Sequence, residues 1–579
     1  MILKMRERGG GREDEAEKEL LSSREDSISA IPQMFFPKAA RRQNLYSYHM
    51  NMIPGVELED PPRDLKFEHQ TLFTTDCIQF LAELITTFDC KVEKVLLQRA
   101  ATKIHLDVSG DLPEFSSLTS HIRDDKEWKI LPVPERLQNR HVDVGDLAPC
   151  DTERFLKALK SDAQGIQVDF DDGNCPTYSN QIKGLFNVYK AVRHHFKDAP
   201  HISEAPVLML RPRAWNMIEH NMMVQGKEVP GALFDYGLLV YHNGKLLFEN
   251  KSGPFFYLSK IESHHEARLW NDIFAWTEEK LGLRRGSIKA TVLIENVLAT
   301  FEMDEILYEL REHTLGLNCG IWDYSASFVN KFGNHSAFLL PDRSKYVNME
   351  KPFLRSYMEL LVQTCHRRGA LATGGMTAAI LPSDKGSSQL KLLEIKAGID
   401  GFLVYDLELI KPLQELFLQH TNGKNQLDVL REDVSVTRTE LLTMPSGGVT
   451  LHGLKYNIEV GILFVASWLT GKGHFIYQGQ VEDSATAEIS RSQVWQWVRH
   501  QVTLEDDSRM VTRGLIRDLV EEGIRVKLVD FLQSNTTKDK ERLNTAISIF
   551  LEVVQKRDFP EFITTYLNLE HTFLASTAE

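Results

Sequence analysis

The feature that most restricts the fold is an alternation that begins near residue 160. The runs Ile166-Gln167-Val168-Asp169-Phe170, Val207-Leu208-Met209-Leu210, Ala290-Thr291-Val292-Leu293-Ile294 and Ala370-Leu371-Ala372-Thr373 are short and rich in apolar and β-branched residues, and they alternate with stretches of helical spacing. Such alternation favours βα units and parallel strands. It leaves two architectures open, a closed barrel and an open doubly wound sheet. No Gly-x-Gly-x-x-Gly follows the first strand, so a dinucleotide-binding sheet has no support. Before the alternation, residues 70–105 read as helices, with Cys77, Ile78, Phe80, Leu81, Leu84 and Ile85 at helical spacing. From about 430 helices dominate again, as in Ser490–His500 and Leu543–Lys556. There is no internal repeat.

Composition narrows the class. The chain has 579 residues, 42% hydrophobic and 26% charged. One α/β barrel absorbs about 250 residues, which leaves room for further domains. A net charge of −14 argues against a nucleic-acid partner, which requires a basic face; local Arg and Lys still suffice to collect a phosphorylated substrate. The six cysteines, at 77, 90, 150, 175, 319 and 365, form no Cys-x-x-Cys pair, so free thiols in a reducing compartment are expected. No apolar run reaches the roughly 18 residues of a membrane helix, and a soluble chain without a membrane partner is expected.

Residues 1–58 are expected to be a disordered extension, because Met1–Ser29 is crowded with Arg, Lys, Glu and Gly and cannot bury enough apolar surface to offset ordering. Its acids make it a poor mitochondrial presequence. The stretch from Arg42 to Met50 loosely resembles an N-terminal peroxisomal address, and the terminus Ser576–Glu579 lacks the Ser-Lys-Leu one. A peroxisomal or glyoxysome-like location follows as an expectation, with cytoplasm and mitochondria left open. The divisions expected after the extension are a helical segment over 59–150, the βα region over 151–430 and a helical domain over 431–579.

The most informative stretch runs from Ile288 to Tyr324. Glu295 ends the strand Ile288–Ile294, a helix follows with Leu298, Phe301, Ile306, Leu307 and Leu310 near one face, and Gly316–Trp322 leads to Asp323. The two acids lie 28 residues apart, about one βα unit. In a parallel sheet both emerge at the same rim on neighbouring strands, and two hard oxygen ligands with room for water and substrate suit Mg²⁺. The alternative is a pair of acids at strand ends that cap helices.

The run Arg311-Glu312-His313-Thr314-Leu315-Gly316-Leu317-Asn318-Cys319-Gly320-Ile321-Trp322-Asp323-Tyr324 resembles the malate synthase signature, up to Ser325 and Ala326. Further family-like blocks keep the same order: Arg211–Trp215, Gly231–Tyr236, Ser252–Leu258 and Val481–Arg491. The resemblance extends from about Gly55 to the C-terminus. It implies a TIM (β/α)8 barrel, an N-terminal helical segment and a C-terminal helical domain. It implies the condensation of acetyl-CoA with glyoxylate and water to malate and CoA, with Mg²⁺ on Glu295 and Asp323. The base would be Asp483, set over the barrel mouth by the C-terminal domain. Arg213 would meet the enolate and glyoxylate oxygens, with Arg211 as the alternative. Backbone N–H groups near Gly320, Ile321 and Trp322 would hold the glyoxylate carboxylate. Asp169, Asp171 and Asp172 would orient the metal's waters. The paired histidines His194-His195 and His264-His265 have no third ligand at useful spacing and are expected to be structural.

The resemblance breaks between Gly374 and Leu409. Where the family has Gly-His-Asp-Gly and Thr-Trp-Val-Ala-His-Pro, this chain has Ile399 for the His, Leu403 for the Trp, Asp406 for the second His and Leu407 for the Pro. Cys175 replaces a Ser near the expected coenzyme site. Cys175, Leu403 and Leu407 are therefore the altered acetyl-CoA positions, and apolar changes of this size shift discrimination by about 1–3 kcal/mol. Two other readings stay open: a related Mg²⁺-dependent acyl-CoA lyase or thioesterase, and a weakened homologue kept as a binding protein. The sequence leaves oligomeric state unassigned.

Overall fold

The computed structural model describes residues 53–382, 386–534 and 536–570. The expected disorder of Met1–Met52, the Arg42–Met50 stretch and the terminus Ser576–Glu579 lie outside the described residues. The extension was expected to reach 58, but Val56–Leu58 is a strand paired antiparallel with Ile218–Val224.

Eight parallel strands close into a barrel in chain order. They are β1 (Val142–Leu147), β2 (Gly165–Asp169), β3 (Val207–Arg211), β4 (Phe255–Leu258), β5 (Lys289–Ile294), β6 (Thr314–Cys319), β7 (Leu371–Thr377) and β8 (Gly401–Val404). Closure runs through Leu403 beside Asp143, between β8 and β1. The open-sheet alternative is thereby excluded. β1 falls before the expected boundary at 151, because Val142-Asp143-Val144-Gly145-Asp146-Leu147 carries two acids and does not read as a buried strand. All six residues are buried. Inside the barrel the Oδ2 of Asp143 pairs with Arg140, whose Nε lies at 2.9 Å and whose guanidinium also reaches the Tyr257 hydroxyl at 3.1 Å. Burial makes such polar pairing obligatory rather than optional.

The helix predicted over 70–105 is Thr75–Ser109, started by the Thr74 side chain on the Cys77 N–H and ended at Gly110 in the left-handed conformation. It packs on the barrel's outer helices Gly231–Glu249 and His264–Leu281. The C-terminal helices Leu451–Trp468, Ser484–Arg499 and Thr537–Val553 build a separate core from Leu454, Ile458, Phe464, Trp468, Val494, Trp497 and Phe550. Helix Ser484–Arg499 lies on Trp322–Phe332, the helix after β6. Buried polar groups hold helices Leu451–Trp468 and Ser484–Arg499 to each other and to Arg343: Asn457 donates to Gln493 at 2.9 Å, and Arg343 donates to Asn457 at 2.9 Å and to Ser490 at 3.0 Å. Satisfied networks of this kind fix one docking geometry.

Gly316 shows how tightly β6 and β7 approach. Its φ is +147°, and a Cβ there would stand 1.8 Å from the Leu371 carbonyl oxygen. Gly316→Ala is expected to cost about 2–6 kcal/mol, from overpacking and backbone strain together. Chemical denaturation checks this; a variant within about 0.5 kcal/mol of the parent, the range of an ordinary surface change, contradicts it.

Candidate active site

The carboxyl ends of the strands converge on one acidic cluster. Glu295 follows β5 directly. Asp323 does not end β6 but sits in the first turn of helix Trp322–Phe332. Asp172 lies just beyond β2. One oxygen from each of the three lies within 4.8 Å of the others, and all three residues are buried. Among the described residues this is the one such group of acids, histidines or cysteines. Asp172 therefore joins the pair read from the sequence, rather than standing behind it. His264, by contrast, is taken up by Glu302, at 2.7 Å from its Nδ1.

Two cations answer the acids. Arg211, the last residue of β3, donates to Asp169 at 3.3 Å, Asp171 at 3.2 Å and Ser259 at 2.6 Å, and also to Asp172; it lies 4.0 Å from Glu295. Lys260 follows β4 with φ +52°, and its Nζ lies 2.8 Å from Asp171, 2.7 Å from Asp172 and 3.7 Å from Asp323. Its own N–H donates to Glu295 at 2.7 Å. A non-glycine residue in the left-handed region is uncommon and persists where the surroundings over-determine it. Here Arg99 of the N-terminal helix grips the Lys260 carbonyl at 2.5 Å, while also pairing with Glu266 at 2.7 Å and Glu561 at 3.3 Å.

Burial pushes Glu295 up and Asp323 well above the usual carboxylate range, against the opposing charge of Lys260. Burial likewise takes Asp169 up to about 7. Asp172 goes the other way: Arg211 and Lys260 overcome its burial and hold it low. Five carboxyls, Asp169, Asp171, Asp172, Glu295 and Asp323, thus face two fixed cations. Both oxygens of Asp323 are buried without a hydrogen-bond partner. An all-oxygen donor set with surplus negative charge and an unsatisfied carboxylate fits a hard divalent cation.

Arg213 needs correction. It is fully buried away from this cluster, paired with Asp235 at 2.8 Å and Glu219 at 2.8 Å. Two residues along a strand point to the same face, but Arg213 lies beyond the end of β3, where that alternation has stopped. Arg211, the alternative, is the arginine in the site. Of the expected amides, the Gly320 N–H is already donated to the Tyr357 hydroxyl at 2.9 Å. Those of Ile321 and Trp322 open a helix and lack intrahelical acceptors by position. The Trp322 ring also carries the Arg343 guanidinium at 5.0 Å.

Leu403 is buried inside the barrel mouth near Gly145 and Met376, and Leu407 is half-buried at the rim. Asp406, where the resemblance has His, accepts from the Leu381 and Glu408 N–H groups at 2.9 and 3.0 Å, so its charge caps a turn. Cys175 is corrected too. Its thiol is buried and donates to the Trp468 carbonyl at 3.5 Å, packing the barrel on the C-terminal helices rather than lining an open coenzyme surface.

Asp483 is the N-cap of helix Ser484–Arg499, accepting from the Thr486 N–H in a capping box. The cap uses the Oδ1 of Asp483. The next residue, Ser484, hydrogen-bonds Asp172 and so ties the start of this helix to the barrel cluster. Sequence reasoning missed Lys260 and Ser484, whose only signals were a place two residues beyond the Ser252–Leu258 block and a place inside the Val481–Arg491 block beside Asp483.

Fold and site define a barrel enzyme with a buried acidic centre covered by a helical domain. The malate synthase TIM-barrel model matches residues 207–444 and the malate synthase C-terminal model residues 448–570. Relatives include malate synthases of Myxococcus xanthus, 42% identical over 79% of this chain and 86% of that protein, and of Dictyostelium discoideum, 38% identical over 89% and 96%. The soybean (Glycine max) protein named glyoxysomal malate synthase is 39% identical over 79% and 84%. The chain belongs to the malate synthase family, and is thus an enzyme of the acyltransferase type.

Removing Arg213 strands two buried acids. Arg213→Met is expected to lose about 3–5 kcal/mol of stability. A melting curve matching the parent's would show the pair to be dispensable.

Proposed function

We propose that this chain condenses acetyl-CoA with glyoxylate and water to give malate and CoA, and does so at the rim formed by Arg211, Asp172, Glu295, Asp323 and Asp483. The observation that carries the reading is the Ser484–Asp172 hydrogen bond. It brings a carboxyl of the C-terminal domain beside a metal-type cluster of the barrel, as the reaction requires.

The thioester methyl is a weak carbon acid, so its proton must leave to a base already in place while positive charge meets the growing enolate oxygen. Asp483 takes the proton. Arg211 faces the oxygen; its planar fork serves two oxygens at once, which a Lys does not. Asp172, Glu295 and Asp323 would hold Mg²⁺, which when bound supplies a Lewis acid for the glyoxylate aldehyde. The first-turn amides of Ile321 and Trp322 suit the glyoxylate carboxylate. Leu403 and Leu407 form an apolar wall for the acetyl thioester. The enolate carbon then attacks the aldehyde carbon, and water cleaves the thioester. The relatives named glyoxysomal, from soybean and Candida tropicalis, support a peroxisome-type compartment.

Free CoA release from acetyl-CoA is expected to require both glyoxylate and Mg²⁺, and to vanish on chelation. No glyoxylate-dependent release at saturating substrate overturns the reading and leaves a binding homologue. Asp483→Asn is expected to lose about 10²–10⁴-fold in kcat while calorimetry still registers glyoxylate and Mg²⁺. Arg211→Lys is expected to lose about 10²–10³-fold, and normal turnover in that variant would remove Arg211 from the chemistry.

A further inference from the structure

The strand ladder stops short of two of the clustered acids. The last paired residues of β5 and β6 are Ile294 and Cys319. Glu295 and Asp323 lie beyond them, Asp323 in the first turn of helix Trp322–Phe332. Two buried carboxylates placed to share one ion repel each other before it arrives, and the ladder does not fix their separation. Two buried polar links past the ladder do. The Val297 N–H donates to the Ser327 Oγ at 2.9 Å. That hydroxyl spends its own proton on the Tyr324 carbonyl at 2.6 Å, so it accepts from Val297 in a fixed direction. Glu262, beyond β4, joins the same two segments through one oxygen. Its Oε1 accepts from the Asn296 amide at 3.2 Å and from the Lys331 Nζ at 2.6 Å. The Asn296 amide is oriented for this, because its Oδ1 accepts the Leu298 N–H at 2.9 Å and turns the NH2 group to Glu262. Asn296 and Val297 directly follow Glu295, and Asp323, Ser327 and Lys331 recur every four residues along one helix face. Glu262, Asn296, Ser327 and Lys331 are each no more than 6% exposed, so water does not compete for these bonds.

We propose that Glu262, Ser327 and Lys331 are positioning residues for the metal site: they brace the segment that carries Glu295 against the helix that carries Asp323, and so set the separation of the two carboxyls before Mg²⁺ enters. The inference rests on the reading of Asp172, Glu295 and Asp323 as the Mg²⁺ ligands. Carboxyl oxygens held in advance at the spacing an ion needs bind it without a further ordering cost. A loosened brace lets the two acids splay apart, which weakens capture of the ion and leaves the steps after capture intact.

The test is the Mg²⁺ affinity of the full-length enzyme, read by calorimetry without substrates. Ser327→Ala, and the double variant Glu262→Gln/Lys331→Met, are each expected to bind Mg²⁺ about 10–100-fold more weakly than the parent. The double change removes both charges together, so no buried ion is left unpaired. In turnover, the Mg²⁺ concentration for half-maximal rate is expected to rise by the same factor, with kcat at saturating Mg²⁺ within about 3-fold of the parent. A role confined to stability would lower the melting temperature and leave Mg²⁺ affinity as it was. An affinity within about 2-fold of the parent's in either folded variant overturns the inference. Asp323→Asn separates the two claims. If it binds Mg²⁺ as tightly as the parent, the ligand assignment has failed. If it loses Mg²⁺ while Ser327→Ala keeps it, only the brace has.

Discussion

Everything at the barrel rim depends on one electrostatic imbalance. Five carboxyls are held out of water with only Arg211 and Lys260 to oppose them. Removing ions from water costs several kcal/mol each, and pairing offsets this only where geometry and hydrogen bonds are good. The cations supply that geometry for Asp171 and Asp172, and leave Asp323 unsatisfied. The cluster is therefore poor as a stabilising device and well suited to recruiting a cation. This is how a fold concentrates unfavourable energy where chemistry needs it.

The same imbalance explains why the C-terminal domain must dock in one orientation. Ser484, the residue after Asp483, hydrogen-bonds Asp172 across the boundary between that domain and the barrel. A sliding interface would expose these acids to water and dissipate the field. The buried amides and guanidinium between helices Leu451–Trp468 and Ser484–Arg499 resist such sliding, because each group lost from the network leaves another unsatisfied.

Much of this was legible in the chain. The apolar runs of β2, β3, β5 and β7 announced parallel strands, and Glu295 and Asp323 stood out through their separation by one βα unit. What stayed hidden was hidden for physical reasons. β1 carries Asp143 and Asp146 inside the molecule, so its hydropathy reads as a loop. Arg211 and Arg213 differ only in whether the strand has ended, a matter of backbone direction that two arginines on either side of Pro212 do not record. Lys260 and Asp146 take left-handed backbone conformations imposed by tertiary contacts, for which no local pattern exists. Leu403 and Leu407 were visible as departures from the family, yet their burial at the barrel mouth depends on shape, which a substitution pattern does not convey.

Arg99 ties together distant parts of the chain. It belongs to the first long helix, far in sequence from any reacting group, yet it holds the carbonyl of Lys260, a barrel-helix glutamate and a glutamate near the C-terminus in one grip. β1 and β2 also precede the segment that the barrel model matches. The structural unit is consequently larger than the barrel: without the first long helix, Glu266 would be left buried with its charge unpaired.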